Sequence, residues 1–276
     1  MTSKKVIAVF GATGAQGGSV AKAILEGKKF AVRALTRDVT QPNALALQDL
    51  GAEVVKGDLD DEASVEAALK GAYGAFLVTS IWNSNREKKE VYQVGTPLNP
   101  FLLPSLAALP SLEGVFSGLE NVKRLTNGKL KVGHFDEKGE VEEYFWSIGV
   151  PMTSIRVAAY FENFFTIWKP MKASDGDYYT LAEFLGKAVG LSAEALTIQQ
   201  YADVLSKILG KEVRDAKITP EAYEKLGFPK AEELANMFRF YQMKPDRDVK
   251  LTHQLNPKVK SFSQFISENQ GAFKSI

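Results

Sequence analysis

The amino-acid sequence predicts an α/β fold: a doubly wound parallel sheet followed by a smaller, shortened and mainly helical C-terminal domain. Two observations predict this class. Short apolar runs alternate with segments of helical periodicity from residue 5 to residue 158, which is the rhythm of strand–helix–strand units. A glycine-rich turn at residues 11–17 joins the first strand to the first helix, and this is the turn at which such units bind phosphate groups.

The first half of the chain alternates regularly between the two element types. Apolar runs typical of strands in a parallel sheet occur at residues 5–10, 30–36, 53–56, 74–79, 115–117 and 152–158. Helical periodicity occurs at residues 14–27, 42–50, 61–70 and 136–148, and later near 198–209, 220–226, 230–242 and 261–271. We therefore predict a dinucleotide-binding domain at 1–158 and a smaller domain at 159–276, with the chain crossing back to the sheet.

One region breaks this rhythm. Residues 91–114 carry four prolines where the pattern requires a helix and the beginning of a strand. A proline inside a helix removes a hydrogen bond and costs about 3 kcal/mol. We therefore expect a broken crossover here, with the strand resuming only at Val115.

Composition excludes several functions. The chain has 276 residues with 34 Lys and Arg against 33 Asp and Glu, so its charge gives no reason to expect nucleic acid or an anionic membrane as a partner. No cysteine is present, which excludes disulfides, thiol catalysis and cysteine metal sites, and we expect no metal. The apolar stretch 101–116 is interrupted by Pro104 and Pro110, so it cannot span a membrane as a regular helix.

The chain start sets the expected location. Met1 runs almost directly into the first strand, which leaves no room for a signal peptide. We expect a cytoplasmic protein, with perinuclear and nuclear pools left open. A response to redox state would require a bound redox cofactor, because the chain has no thiol to oxidise.

The glycine-rich turn predicts a dinucleotide site. Gly11 permits the tight turn, Gly14 lets the backbone approach a pyrophosphate, and Gly17 lets the helix pack close to the sheet. Phosphates then lie on amide groups at the positive end of the helix dipole. The alternative is a glycine turn without a ligand. The remaining residues of the predicted loop are Ala12, Thr13, Ala15 and Gln16.

Residues after the next strands extend this site and predict NADP(H). Arg37 ends the second strand, at a position where arginine accommodates the 2′-phosphate of NADP and an acidic residue selects NAD. Asp38 would favour NAD but lies one residue beyond that position, and Arg37 could also be a solvated strand-end residue. Side chains after the third and fourth strands are expected to border the adenine and the central part of the cofactor, namely Asp58, Leu59, Thr79 and Trp82.

Several segments together closely resemble the NmrA-like family. They are residues 11–17, 117–121, 134–145, 160–163, 219–227 and 234–240. The resemblance implies an atypical short-chain dehydrogenase fold that binds NADP(H) and a role as redox sensor in signalling or transcriptional regulation. In that role, cofactor occupancy shifts the protein between dimer and monomer and changes its partners. Argininosuccinate synthase and components of inflammatory signalling are the partners that the resemblance implies.

The resemblance also implies cofactor contacts, and the chain departs from the family in two places. Matching positions are Gly11, Thr13, Gly14, Ala15, Gln16, Arg37, Thr79, Trp82, Lys138, Tyr160, Phe161, Glu162 and Asn163. The proline-rich segment 93–114 replaces a regular helix and most of the fifth strand of the family. Between residues 179 and 186 the chain is short by a strand–helix unit, and we interpret both as altered splicing or a fault in the gene model.

Candidate catalytic residues leave the question of enzymatic activity open, leaning to no. A working short-chain dehydrogenase has a tyrosine four residues before a lysine, which lowers the pKa of the phenol for proton transfer. Here Lys138 is preceded by His134, which either relays a proton or is an ordinary surface or capping residue. Lys138 either assists that transfer or only holds the nicotinamide ribose. Ser117 occupies the position of the helper serine.

Two functions follow from these residues. The first is an NADP(H)-binding sensor, and the second is an NADPH-dependent reductase of a quinone or carbonyl compound. Two further groups have structural interpretations. The run Glu140, Glu142 and Glu143 indicates a solvated helix face. Aromatic residues at helical spacing indicate core or interface packing, namely Phe161, Phe164, Phe165 and Trp168.

Overall fold

A computed structural model of the chain describes residues 4–59, 61–79, 113–166, 168–181, 192–243 and 248–273. Within these ranges the strands are β1 (Val6–Val9), β2 (Ala31–Thr36), β3 (Glu53–Lys56), β4 (Gly74–Leu77), β5 (Glu113–Ser117), β6 (Met152–Ile155), β7 (Met171–Lys172), β8 (Tyr179–Leu181) and β9 (Val213–Asp215). The α-helices are α1 (Ala15–Gly27), α2 (Pro42–Asp49), α3 (Glu62–Leu69), α4 (Val122–Leu125), α5 (Gly133–Ser147), α6 (Ile198–Leu209), α7 (Pro220–Glu224), α8 (Ala231–Met243), α9 (Val249–Leu255) and α10 (Phe262–Glu268). Short 3₁₀ helices span Phe161–Phe165 and Gln270–Phe273.

The first six strands form one parallel sheet in the order β3-β2-β1-β4-β5-β6. The strand order reverses beside β1, because β2 and β3 lie on one side of it and β4 to β6 on the other. In open α/β sheets this switch point, at the carboxyl ends of the strands, is where ligands bind. The predicted doubly wound sheet is therefore confirmed, and the glycine loop that follows β1 lies at its switch point.

Helices cover both faces of this sheet because its strands are apolar on both faces. On one face Leu77 and Phe116 pack with Leu69 of α3 and Phe145 of α5. On the other face the core is formed with α1 and α2 by Val9, Ala21, Val32, Leu47 and Phe76. Burying one such large side chain contributes roughly 1.5–3 kcal/mol, so the two layers hold the strand ends at fixed positions.

The chain divides into two compact units. The first comprises residues 1–125 and 133–155, and the second comprises 126–132 and 156–276. In the second unit β7, β8 and β9 form a small sheet, and an aromatic core contains Phe164, Trp168, Tyr201 and Phe262. The predicted boundary after residue 158 lies close to residue 155, where the first unit ends. That the two parts are separate domains stays a prediction.

The second unit contains elements that the sequence pattern missed. β9 is a strand of three residues, and α9 is a helix of seven residues that Asp248 caps by accepting a hydrogen bond from Leu251 N at 2.8 Å. Both are too short for a periodic pattern to reveal. The predicted packing of Phe161, Phe164, Phe165 and Trp168 is confirmed. Phe164 and Trp168 are buried in the aromatic core, and Phe161 and Phe165 are partly buried and pack against it.

Two predicted boundaries in the first unit were wrong. β5 begins at Glu113 and pairs with both β4 and β6, so the prolines before it leave the sheet continuous and the fifth strand extends over residues 113–117. α5 begins at Gly133 instead of residue 136. Asp136 lies within α5, and its carboxylate accepts a hydrogen bond from Lys123 N in the neighbouring α4 at 2.8 Å.

Some predictions lie outside the described residues. They concern Trp82, the broken crossover at residues 91–112 and most of the short stretch at 179–186. None of the helices in the described part of the chain is long and apolar enough to cross a membrane.

Candidate functional site

Two of the three loop glycines are required by the packing of the protein itself. Gly11 has a φ of +63°, and a Cβ there would lie 2.8 Å from Val78 Cγ1. A Cβ on Gly17 would lie 2.3 Å from the carbonyl oxygen of Gly11 and 2.9 Å from that of Phe10. Real Cβ atoms do not approach backbone this closely, so α1 reaches the end of β1 only because residue 17 is glycine.

Gly14 differs from its two neighbours. It is the N-cap of α1, and a Cβ added there would have Gly11 O, at 3.4 Å, as its nearest atom. A small side chain would therefore fit against the protein, and its absence leaves exposed backbone open to a ligand. Gly14 N donates to Gly11 O at 3.0 Å, and the first intrahelical bond runs from Gly18 N to Gly14 O at 2.8 Å. The amides of the first helical turn between them therefore have no acceptor within the helix and are directed toward its end.

The electrostatics of this helix end suit an anion. No acidic residue lies in the first turn of α1, and the helix dipole places partial positive charge there. Exposed amides at such an end bind phosphate groups. The geometry thus has the features that a pyrophosphate requires, namely open backbone, outward amides and a positive dipole.

Ser117 and Gln16 connect the loop to the end of β5. The Ser117 hydroxyl donates a hydrogen bond to Gln16 Oε1 at 2.9 Å, across 101 residues of sequence. Ser117 is buried, so its hydroxyl orients a side chain of the loop. The structure brings these two predicted site residues together, although the sequence pattern had indicated separate roles for them.

The end of β2 approaches the glycine loop through residues that the sequence pattern did not reveal. Gln41 Nε2 lies 2.6 Å from Thr36 Oγ1 and 3.2 Å from Thr13 Oγ1. Asn43 Nδ2 donates to the carbonyl oxygen of Thr13 at 3.0 Å. Both residues lie at the start of α2. The sequence signal for their contact with the glycine loop was the presence of two amide side chains a few residues after Arg37.

The two charged residues at the end of β2, Arg37 and Asp38, differ in their hydrogen bonding. Asp38 Oδ1 accepts hydrogen bonds from Thr40 Oγ1 at 2.6 Å and from Thr40 N at 2.8 Å. The hydroxyl first and then the backbone amide lower the pKa of the Asp38 carboxyl from its ordinary value of 3.8. Arg37 is exposed, and among the described residues no hydrogen bond or ion pair engages its guanidinium.

The residues after β3 are held by backbone and core contacts. Asp58 N donates to Ser64 Oγ at 3.0 Å, and that hydroxyl lies 3.1 Å from Asp58 O. Leu59 packs against the core beneath α3 and α5. Both residues are half-buried at the same edge of the sheet as the glycine loop, and their contact with adenine stays a prediction.

Lys138 reaches the end of β4 from α5. Its Nζ donates to the carbonyl oxygen of Thr79 at 2.7 Å and lies 3.0 Å from Thr79 Oγ1. The next residue, Gly139, is a glycine of close approach, because a Cβ there would lie 2.4 Å from Asn121 N. The sequence pattern did not reveal Gly139. The available signal was that residue 139 lies among the buried positions of the helical periodicity of α5.

His134 lies one helical turn before Lys138, on the same side of α5. It is half-buried, and its ring contacts that of Phe135 edge-to-face at 5.0 Å between centroids. The structure therefore places it inside the helix, not on a loop. Its proposed role in proton transfer stays a prediction.

The predicted solvated face of α5 was wrong at one position. Glu142 is 2% exposed and accepts a hydrogen bond from the Ser154 hydroxyl. Its carboxylate lies beside Gly118, where a Cβ would come within 2.5 Å of Glu142 Oε2. A buried carboxylate is tolerated because it is hydrogen-bonded, and a run of three acidic residues does not reveal which of them faces inward.

Tyr160 to Asn163 lie in the second unit at the start of a 3₁₀ helix. Asn163 N donates to Tyr160 O at 3.0 Å, and the ring of Phe161 packs against Phe262 and Phe265 at 5.2 and 5.5 Å between centroids. Desolvation, followed by the neighbouring Glu162 carboxylate, raises the pKa of the Tyr160 phenol above its ordinary value. Its contact with a cofactor stays a prediction.

A parallel six-stranded sheet with a glycine loop at its switch point defines a dinucleotide-binding type of α/β fold. The chain belongs to the NmrA-like family, whose family model matches residues 3–183. It is 31% identical to the NmrA-like family domain-containing protein 1 of Rattus norvegicus over 272 residues, which are 99% of this chain and 100% of the rat protein.

The chain is also similar to an oxidoreductase of the family in sequence and to NmrA in fold. Over 154 residues the chain is 33% identical to the NmrA-like family domain-containing oxidoreductase notA′ of Aspergillus versicolor, covering 54% of this chain and 42% of that protein. The fold is similar to that of NmrA, a negative transcriptional regulator, in a crystal structure with NADP. That likeness has a TM-score of 0.75 at 17% identity and covers 97% of this chain and 96% of NmrA.

Proposed function

We propose that this protein binds NADP(H) at its glycine loop and acts as a sensor of the NADPH level. The observation that carries the proposal is the helix end at the switch point, where Gly14 leaves the backbone open although the protein could accommodate a Cβ there. The outward amides suit a pyrophosphate. Arg37, exposed at the end of β2, supplies a charge-assisted donor for a 2′-phosphate.

The remaining residues at this edge fit the rest of such a cofactor. Thr79 and Lys138 lie together at the end of β4, and Gln16 is oriented by Ser117. When bound, the nicotinamide supplies hydride chemistry. A lysine next to the strand end offers ammonium hydrogens to ribose hydroxyls. NmrA, a structural relative, was crystallised with NADP, which supports the same nucleotide class here.

A sensor is favoured over an enzyme because the residue four positions before Lys138 is His134. A lysine-activated phenol is the proton donor of short-chain dehydrogenases, and position 134 supplies a half-buried imidazole instead, whose ring has a different reach from that of a phenol. We extend the proposal to a homodimer in the cytoplasm and nucleus that exchanges partners with NADPH level. The partners proposed are argininosuccinate synthase and inflammatory-signalling components.

Thermal unfolding with and without nucleotide tests the binding proposal. NADPH at a hundred times its dissociation constant is expected to raise the free energy of unfolding by about 2.7 kcal/mol. Arg37→Gln is the matched variant, because it should weaken NADPH while leaving NADH little changed. An unchanged melting temperature with both nucleotides would contradict cofactor binding.

The sensor role needs a second measurement. A ligand shifts an equilibrium only through its different affinities for the two states. Sedimentation of the protein with and without NADPH is expected to give different oligomer distributions. Equal NADPH affinity in both oligomeric forms would contradict sensing and leave cofactor binding intact.

The second candidate is an NADPH-dependent reductase of a quinone or carbonyl compound. Its specific support is the Lys138 ammonium at the end of β4, together with similarity to a relative named as an oxidoreductase. NADPH consumption over a panel of quinones and carbonyls tests it. Turnover that survives unchanged in a Lys138→Ala, His134→Ala double variant would remove these residues from the mechanism.

A further inference from the structure

Residues 36–41, here called the β2 turn, place two opposite charges side by side at the end of β2. Arg37 and Asp38 are adjacent and both exposed. At this strand end the two side chains have opposite preferences, because a guanidinium pairs with a ribose 2′-phosphate whereas a carboxylate repels it and accepts a 2′-hydroxyl. The side chain that faces the ribose therefore decides between NADP(H) and NAD(H).

Hydrogen bonds hold the Asp38 main chain within the turn. Asp38 N donates to Thr36 Oγ1 at 3.3 Å, and Asp38 O accepts from Thr36 Oγ1 and from Gln41 Nε2, each at 3.1 Å. Thr36 is itself buried at the end of the strand. The backbone on which both charges lie is thus fixed to the sheet.

The Asp38 carboxylate is held as well. Its Oδ1 accepts from both the hydroxyl and the amide of Thr40, at 2.6 and 2.8 Å. An aspartate that bonds to the backbone two residues later forms a local Asx turn, which directs the carboxylate along the turn. Arg37 makes no such local contact among the described residues.

We infer that Thr40 is a specificity-determining positioning residue: its hydroxyl holds the Asp38 carboxylate in the β2 turn, so that Arg37 alone faces the ribose 2′ position. The inference rests on the proposed binding of NADP(H) and explains how an acidic residue beside Arg37 is compatible with that preference. Thr40 acts through Asp38 and needs no contact with the nucleotide.

Calorimetric titration of NADPH and NADH into the full-length protein tests this role. In Thr40→Val the hydroxyl bond is lost and only the Thr40 amide still holds the carboxylate. The carboxylate then has more freedom to reach the ribose, and the preference for NADPH over NADH is expected to fall on the order of tenfold. Thr40→Ser restores the hydroxyl and the wild-type preference. In the Asp38→Asn, Thr40→Val double variant the preference is expected to remain, because no charge is released.

Thr153→Val is the matched control, since Thr153 is an exposed threonine on the edge strand β6. Failure of the wild-type protein to bind either nucleotide would contradict the proposed function and the inference together. An unchanged preference in Thr40→Val would overturn the inference alone. The inference would also be overturned if the preference fell equally in the double variant, because the Asp38 charge would then play no part in it.

Discussion

Two helices approach a strand end closely at the candidate site, and each does so through a glycine. Gly17 of α1 lies against the backbone that follows β1, where a Cβ would meet Gly11 O at 2.3 Å. Gly139 of α5 lies against the backbone that follows β5, where a Cβ would meet Asn121 N at 2.4 Å. The first approach exposes backbone amides, whereas the second presents a side chain, Lys138, to the end of β4.

The difference separates two ways of building a site. At the strand end that α1 approaches, here called the α1 edge, the functional groups are main-chain amides. The glycine positions of the loop therefore tolerate few substitutions, whereas its other positions tolerate different side chains. At the strand end that α5 approaches, here called the α5 edge, the functional groups are side chains. They are held by contacts between residues far apart in the sequence, such as the hydrogen bond from Lys138 to Thr79 across 59 residues. The variants that follow test whether the two edges depend on these different features.

Gly17→Ala is expected to have the largest effect. The added methyl group overlaps two carbonyl oxygens at the centre of the sheet, and overpacking of this kind costs typically 1–3 kcal/mol, so we expect about 3 kcal/mol here. Thermal unfolding should show a fall of roughly 6–12 °C. Gly27→Ala is the control, because nothing lies within 4 Å of its Cβ position, and a stability equal to that control would refute the close approach.

Gly139→Ala is expected to destabilise the protein by about 1–2 kcal/mol. The effect is smaller because the overlapping atoms belong to Asn121, in the short segment between β5 and α4, which can shift without displacing a strand of the sheet. The methyl group should displace α5 and with it Lys138, so NADPH binding should weaken as well. A loss of stability with unchanged NADPH affinity would show that the position of Lys138 does not depend on Gly139.

The same contrast explains what the sequence could predict. The parallel sheet and the α1 edge were predictable because their signals are local: strand periodicity and three glycines within seven residues. Gly139, the Ser117–Gln16 hydrogen bond and the burial of Glu142 were not, because each depends on a partner distant in the sequence. Likewise Gln41 and Asn43 acquire a role only once β2 and the glycine loop are neighbours.

Lys138→Met separates the two edges at the level of binding. The aliphatic stem is retained while the ammonium is lost, so NADPH affinity should fall about tenfold, or 1.4 kcal/mol. Lys22→Met, on an exposed position of α1, is the matched control and should bind as the wild type does. If Lys138→Met also binds NADPH as the wild type does, the α5 edge has no part in holding the cofactor.

The smallest expected effect concerns Asp38, whose carboxylate the Thr40 side chain and amide hold in the β2 turn. The Thr40 hydroxyl, and then the Thr40 amide, lower the pKa of Asp38 from 3.8, so the carboxylate favours the folded state above pH 3.8 and this contribution is lost as the pH falls through the folded-state pKa. A nuclear magnetic resonance titration of Asp38 should give a pKa below 3.8 in the wild type. Thr40→Val should move that pKa upward only in part, because the amide bond remains. A wild-type Asp38 with an ordinary pKa would mean that its carboxylate is not held in the β2 turn, and the α1 edge would then owe its selectivity to Arg37 without help from Thr40.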